Sequence, residues 1–168
     1  MRADLTIAFA ISVLGLWSAH AEEPVGCDKF RWPIDQARAA LTASDIAQLQ
    51  SGGELASPPS AAIVGLQPLA DADLPKQPER GQRPESFAGF VKMAALPAGT
   101  YLISLSDGAW IDVIQNGAYL RPKGFSGATG CSGIRKTIKF TLSAAPVTIQ
   151  ISGATKNTIH LAIQPAAD

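Results

Sequence analysis

The sequence has few of the side chains on which common catalytic sites depend. Its 168 residues include two histidines and two cysteines, and it lacks the motifs of serine hydrolases, zinc proteases and Walker-type nucleotide-binding enzymes. His20 lies in a predicted leader segment, so His160 is the one histidine left for the mature chain. A site built on two histidines of one chain is therefore excluded. We expect no catalytic residues, no metal ligands and no cofactor.

An excess of charge of one sign is also missing. Fourteen basic side chains balance fourteen acidic ones, and charged residues make up 17% of the chain. A protein that binds nucleic acid needs a basic excess to neutralise phosphates, so this class of partner is excluded. The hydrophobic fraction of 46% excludes a disordered chain.

The first 21 residues have the three parts of a secretory signal peptide. Arg2 supplies a positive start, Leu5–Trp17 form a short apolar run, and Ala19 and Ala21 are the small residues of a processing site. The alternative is a membrane anchor, but the run is too short to span about 30 Å of hydrocarbon. We therefore predict cleavage after Ala21, a periplasmic or secreted protein, and no transmembrane segment in the mature chain.

Cys27 and Cys131 both belong to the predicted mature chain. In an oxidising compartment two cysteines most simply form one disulfide bond, and no Cys-x-x-Cys spacing indicates a redox pair. The alternatives are two free thiols or a redox pair. We predict a structural disulfide between Cys27 and Cys131.

Two segments precede the predicted β-rich part. Residues 22–53 have helical spacing, which predicts short helices over 35–41 and 45–50 that end at Ser51-Gly52-Gly53. Residues 54–86 hold half of the chain's prolines, which remove donors from a central strand. We predict an extended connection lying over the main domain, with an edge strand over 61–66; a disordered linker is the alternative.

From residue 87 to residue 168 the pattern predicts seven or eight short strands separated by turn residues. Asn116-Gly117 is the sharpest turn signal, because both residues tolerate the positive φ of a two-residue hairpin. Antiparallel strands without crossover helices indicate a β-sandwich, preceded here by the short helical N-terminal segment. A closed barrel is the alternative.

A candidate ligand-binding site lies in the stretch from Trp110 to Val113. On a strand, Trp110 and Asp112 project to one side while Ile111 and Val113 project to the other. If the aliphatic pair faces the core, an aromatic plate and a carboxylate stand together on the outer face and could bind a sugar ring or an organic cation. The alternative is that Trp110 packs beneath the proline-rich segment.

Arg135 and Lys136 complete the set of candidate ligand-binding residues. They follow a glycine-rich run, residues 124–133, whose amides could cradle an anion, but the spacing differs from that of a Walker loop. We interpret the run as a flexible crossing between sheets that the cysteine at 131 pins. In the alternative in which Trp110 packs beneath the proline-rich segment, Asp112 pairs with Arg135 or Lys136.

Two resemblances extend this interpretation. Residues 96–106 and 110–113, with the two terminal strands, resemble the bacterial pre-peptidase C-terminal type of jelly-roll domain, over the C-terminal half of the chain. This resemblance implies a secreted accessory β-sandwich, some members of which bind calcium through aspartates that Asp107 and Asp112 would match. Residues 27–33, 109–113 and 130–136 resemble a group of uncharacterised exported alphaproteobacterial proteins.

Some members of that exported group carry a transferred label of homogentisate dioxygenase. A non-haem iron site of the two-histidine, one-carboxylate type cannot be assembled from a single histidine. We therefore expect a non-enzymatic binding or envelope-associated module whose partner is an unknown small molecule, a glycan or an envelope protein. An enzyme and a structural, partner-docking protein are the alternatives.

Overall fold

Short runs of β-branched and aliphatic residues become strands in the computed structural model, which describes residues 22–80 and 83–166. The predicted leader, residues 1–21, lies outside the described residues. The chain is mainly β, with 45% strand and 9% helix. The strands are β1 Ala47–Gln50, β2 Ser60–Gly65, β3 Gln67–Pro68, β4 Phe87–Met93, β5 Gly99–Leu105, β6 Trp110–Gln115, β7 Ala118–Tyr119, β8 Gly124–Gly127, β9 Lys136–Leu142, β10 Val147–Ala154 and β11 Thr158–Pro165.

The strands form two sheets. The six-stranded sheet has the order β1-β2-β11-β5-β9-β8, and the five-stranded sheet has the order β3-β4-β10-β6-β7. Pairing between neighbouring strands is antiparallel except between β1 and β2. The predicted hairpin at Asn116-Gly117 is confirmed: both residues have positive φ, 51° and 74°, and they join β6 to β7.

Alternation along the strands places one face of each sheet in a shared core. Buried side chains of both sheets form a single hydrophobic cluster, to which the five-stranded sheet contributes Ile111 and Val113 of β6. The six-stranded sheet contributes residues such as Ile103 and Phe140. Because successive side chains of a strand point to opposite faces, each sheet also has an outer face that needs its own cover.

The N-terminal segment covers the outer face of the six-stranded sheet. Its helix α1, Asp35–Leu41, follows a 3₁₀ turn at Cys27–Lys29. Ile34, Ala37 and Leu41 pack with Ala162 of β11 in a second hydrophobic cluster. The predicted disulfide bond is confirmed: it joins Cys27 to Cys131, 104 residues further along the chain, and so fastens this cover to the sheet.

The predicted helix over 45–50 is wrong, because Ala47–Gln50 form β1, which runs parallel to β2. So short a segment is a marginal helix in isolation, whereas β2 offers its backbone a partner for every residue. The strand predicted over 61–66 is present, but its assignment as an edge strand is wrong. Ser60–Gly65 form β2, which lies inside the sheet between β1 and β11. The sheets therefore begin well before residue 87.

The glycine-rich run, residues 124–133, is not the crossing between sheets. Its first four residues form β8, the edge strand that pairs with β9. The chain passes from the five-stranded to the six-stranded sheet earlier, over residues 120–123, which connect β7 to β8.

Among the helices of the described ranges, none is long and apolar enough to cross a membrane.

Candidate functional site

The candidate site lies on the outer face of the five-stranded sheet, where β6 and β10 are neighbours. Ile111 and Val113 belong to the shared core, so Trp110 and Asp112 project together to the other side, as the alternation predicts. In the register of the two strands, Trp110 lies opposite Ser152, and Asp112 lies opposite Gln150. One face therefore carries an indole ring, a carboxylate, an amide and a hydroxyl group.

Trp110 stands at the start of β6 and keeps 44% of its surface exposed. Two cations lie near its ring: the Arg80 guanidinium carbon is 4.8 Å from the ring centroid, and the Lys136 ammonium nitrogen is 5.1 Å from it. Both distances are within the range of a cation–π interaction. The alternative prediction that Trp110 packs beneath the proline-rich segment is thus realised in part, since Arg80 of that segment contacts the ring.

Lys136 and Arg135 have different surroundings although they are adjacent in sequence. The Lys136 ammonium donates a hydrogen bond to the carbonyl oxygen of Ala109 at 2.7 Å. Burial, and secondly the positive charge of Arg135, lowers the pKa of Lys136. Arg135 itself forms an ion pair with Glu23, 2.5 Å between nitrogen and oxygen. Of the two predicted basic residues, Lys136 is the one that the fold brings to Trp110.

Asp112 is a buried carboxylate, with 6% of its surface exposed. Its Oδ2 accepts hydrogen bonds from the backbone N–H of Glu79 at 3.3 Å and from the amide of Gln150 at 3.4 Å. Burial raises the pKa of Asp112, and the negative charge of Glu79 adds to this effect, while the two hydrogen bonds and the charge of Arg80 oppose it. The predicted pairing with Arg135 or Lys136 is wrong, because the donors are the backbone N–H of Glu79 and the side-chain amide of Gln150 on β10.

The proline-rich segment supplies the cover of this face. We call residues 74–80 the strap. The Lys76 N–H donates to Gln150 Oε1 at 3.2 Å, and the Lys76 ammonium donates to the carbonyl oxygen of Gly117 at 2.6 Å. The Tyr119 hydroxyl donates to the carbonyl oxygen of Gln77. The strap is therefore held by polar contacts along β6, β7 and β10.

Sequence reasoning missed three residues of this face: Gln150, Ser152 and Tyr119. Gln150 and Ser152 are fully buried, and the hydroxyl of Ser152 has no hydrogen-bond partner among the described residues. Their alternation with Val147, Ile149 and Ile151 is visible in the sequence and is typical of a solvated outer face. The strap covers part of that face, because its backbone N–H groups donate to Gln150 and Asp112.

His160 lies on the other sheet and has a structural contact. Its Nδ1 is 2.6 Å from the carbonyl oxygen of Leu41 at the end of α1. Because a carbonyl oxygen accepts, Nδ1 carries the proton of this hydrogen bond. In the part of the chain that the structure describes, no three histidine, cysteine, aspartate or glutamate side chains are grouped so that they could hold a metal ion.

Asp107, the second aspartate implied by the jelly-roll resemblance, is engaged elsewhere. It accepts a hydrogen bond from the Ser106 hydroxyl at 2.7 Å and pairs with Lys156 at 2.7 Å. Burial opposes these contacts, but together they lower the pKa of Asp107. Asp107 and Asp112 therefore serve separate hydrogen-bond networks.

The sequence matches no known protein-family model, and no curated protein matches it. The resemblances to the pre-peptidase C-terminal domains and to the exported alphaproteobacterial group stay predictions that depend on the residues quoted for them.

Proposed function

We propose that this chain is an exported, non-enzymatic binding module that uses Trp110 to bind an acidic saccharide of the cell envelope. The proposal includes a jelly-roll-like β-sandwich and a periplasmic or secreted location after removal of residues 1–21. The disulfide bond between Cys27 and Cys131 supports this location, because such bonds persist in oxidising compartments. The shared core of the two sheets supports the sandwich.

The observation that carries the proposal is the exposed indole of Trp110 beside buried polar groups. A sugar ring has an apolar C–H face, which packs on an aromatic plate, and a rim of hydroxyl groups, which needs fixed hydrogen-bond partners. Trp110 offers the exposed plate, with the Lys136 ammonium nitrogen 5.1 Å from its ring centroid. Asp112 and Gln150 lie on the same face but are buried. The strands β6 and β10 hold Trp110, Asp112 and Gln150 in fixed positions.

The charges near the ring favour an acidic ligand over an organic cation. Arg80 and Lys136 already place positive charge within about 5 Å of the ring, so a cationic ligand would meet repulsion. A carboxylate on a saccharide would instead be attracted to Lys136. Burial lowers the pKa of Lys136, so an anion at this position would also restore preference for its charged form.

Binding can be measured by calorimetry on the exported, purified protein with a linear hexamer of uronic acid, and with a neutral glucan hexamer for comparison. Trp110→Ala should weaken binding of the uronate at least tenfold, since it removes the plate. Phe125→Ala is the matched control, because Phe125 is an exposed aromatic residue of β8 on the other sheet, 65% accessible. Equal affinities for the wild type and Trp110→Ala would contradict the proposal.

Lys136→Met separates the charge from the packing of the side-chain stem. We expect weaker binding of the uronate hexamer and little change for the neutral hexamer, because the substitution removes the ammonium group and keeps the apolar stem. An unchanged affinity for the uronate would show that the acidic group is not recognised at Lys136.

A partner-docking function has one observation in its favour. Phe125 is exposed on β8, which is an edge strand of the six-stranded sheet. Exposed apolar side chains on an open strand edge are typical of surfaces where another chain adds. Crosslinking in periplasmic extract tests this function: a partner captured by the wild type and lost with Phe125→Ser would support it.

A further inference from the structure

The outer face of the five-stranded sheet buries polar groups where a structural cover would favour apolar ones. Asp112 is 6% exposed, and Gln150 and Ser152 are fully buried. Burial of a polar group is unfavourable unless hydrogen bonds replace those made to water, and burial of a carboxylate is more so. These three positions therefore weaken the fold, which indicates that the face serves a purpose besides packing.

The strap replaces those lost hydrogen bonds incompletely. Its two backbone donors reach Gln150 and Asp112 at 3.2 Å and 3.3 Å, at the long end of the range for N–H donors to oxygen. The Ser152 hydroxyl has no partner within the described ranges. Neither hydrophobic cluster of the described chain includes a strap residue. The strap thus lies outside both clusters, with Leu74 and Pro78 only partly buried.

The contacts of the strap resemble those that a saccharide would make. The N–H groups of Lys76 and Glu79 donate to oxygens of Gln150 and Asp112. Sugar hydroxyl groups could donate to the same two oxygens. The Arg80 guanidinium occupies the neighbourhood of the Trp110 ring, where a sugar face would pack. Pro75 and Pro78 fix their own φ angles, which limits the conformational freedom that the strap gains when it leaves.

We propose that the strap is a built-in occupant of a saccharide groove lined by Trp110, Asp112, Gln150 and Ser152, and that the incoming saccharide displaces it. This inference rests on the proposed function and adds the ligand contacts beneath the strap. Hydroxyl groups of the sugar donate to Asp112 and Gln150 in place of the two backbone amides. The hydroxyl of Ser152, which has no hydrogen-bond partner among residues 22–80 and 83–166, gains one from the saccharide.

Two substitutions loosen the strap without touching the groove. Tyr119→Phe removes the hydroxyl that donates to Gln77, and Lys76→Met removes the ammonium that donates to Gly117. With less to displace, the uronate hexamer should bind the double variant about three- to tenfold more tightly. The matched control is Arg38→Met, which removes a side-chain hydrogen bond to the carbonyl oxygen of Ser132. Arg38 lies in the N-terminal segment on the six-stranded sheet, which we call the α1 cover. The affinity of this control variant should equal that of the wild type.

Ser152→Ala tests the floor of the groove. Because the hydroxyl has no partner in the part of the chain that the structure describes, this variant should fold with undiminished stability. Its affinity for the uronate hexamer should nevertheless fall about three- to tenfold. Hydrogen exchange gives the third readout: saturating uronate should speed exchange of the Lys76 and Glu79 amides, which lose their acceptors.

The outcomes separate the two proposals. Loss of binding with Trp110→Ala, together with unchanged affinity of the loosened and Ser152→Ala variants and unchanged exchange of the strap, would overturn the groove and leave the proposed function standing. Binding that responds to Ser152 and to the strap but not to Trp110→Ala would overturn the proposed function instead. If neither the wild type nor the loosened variant binds the uronate or the glucan hexamer, both proposals are overturned.

Discussion

The two sheets have covers of opposite character. The N-terminal segment lies on the six-stranded sheet with buried apolar side chains such as Ile34 and Leu41, and the Cys27–Cys131 bond fastens it. The strap lies on the five-stranded sheet over Asp112 and Gln150 and is held by backbone amides and cations. The first cover adds a second hydrophobic core, whereas the second closes over polar groups.

This difference indicates which of the two covers, the N-terminal segment or the strap, is structural. Apolar burial gives a favourable free energy in proportion to area, and a disulfide makes the attachment permanent in an oxidising compartment. Long hydrogen bonds between polar groups contribute little net free energy, because water offers the same groups equivalent partners. The α1 cover should therefore behave as part of the fold, and the strap as a layer that can be exchanged.

The largest effect should follow removal of the disulfide bond. Cys27→Ser with Cys131→Ser opens a loop of about a hundred residues, and the chain-entropy model gives an upper value of about 4.7 kcal/mol for the lost stability. At 2–4 °C for each kcal/mol, Tm should fall by roughly 10–20 °C. Thermal unfolding followed by circular dichroism measures this change. A Tm within about 2 °C of the wild type would contradict the structural role of the N-terminal cover.

A matched pair of leucines compares the two covers directly. Leu41 of α1 is fully buried, whereas Leu74 of the strap is only partly buried. Leu41→Ala should reduce the free energy of unfolding by about 2–5 kcal/mol, since it leaves a cavity in a packed cluster. Leu74→Ala should cost less than about 1 kcal/mol, as is typical of surface changes. Urea unfolding of both variants checks the comparison; equal losses would show that the strap is as structural as the helix.

Asp112→Asn should stabilise the protein at neutral pH. The folded state raises the pKa of Asp112, principally through burial, with Glu79, Arg80 and Tyr119 as the charged or titratable groups near it. Because the folded-state pKa is raised, protonated Asp112 contributes fully to stability below the ordinary pKa of 3.8. This contribution is lost as the pH rises through the folded-state pKa. Removing the charge should therefore raise Tm at pH 7 by a few degrees and change it little near pH 3.

The same variant should bind the uronate hexamer more weakly, because an amide oxygen is a poorer acceptor than a carboxylate. Opposite effects on stability and binding are typical of residues kept for function. Unfolding scans at both pH values, with a titration at pH 7, test this prediction. If Asp112→Asn lowered Tm at pH 7, the carboxylate would be part of the structural cover, and the contrast between the two covers would fail.

Several parts of the fold follow from local signals in the sequence. The hairpin at Asn116-Gly117 needs positive φ at two positions, and few other dipeptides provide it. The disulfide follows from two cysteines without a redox motif. The assignment of Ile111 and Val113 to the core, which puts Trp110 and Asp112 on the outer face, follows from strand alternation. Each of these signals depends on a few adjacent residues.

The parts that sequence reasoning missed depend on contacts distant in the chain. Residues 47–50 form a strand because β2 lies beside them, and their own spacing carries no sign of this partner. Gln150 looks like an ordinary outer-face residue until Lys76 of the strap, 74 positions earlier, donates a hydrogen bond to it. The partners of Asp112 were missed for the same reason, because the sequence does not indicate which distant backbone amide will lie beside a given side chain.

We expect a saccharide to take the place of the strap while the α1 cover stays in position. Hydrogen exchange of the wild-type protein, with and without saturating uronate hexamer, measures both covers in one experiment. We expect faster exchange for the Lys76 and Glu79 amides and an unchanged rate for the Arg38 amide of α1, which donates to the carbonyl oxygen of Ile34. Unchanged or slower exchange of the strap amides on binding would contradict this expectation.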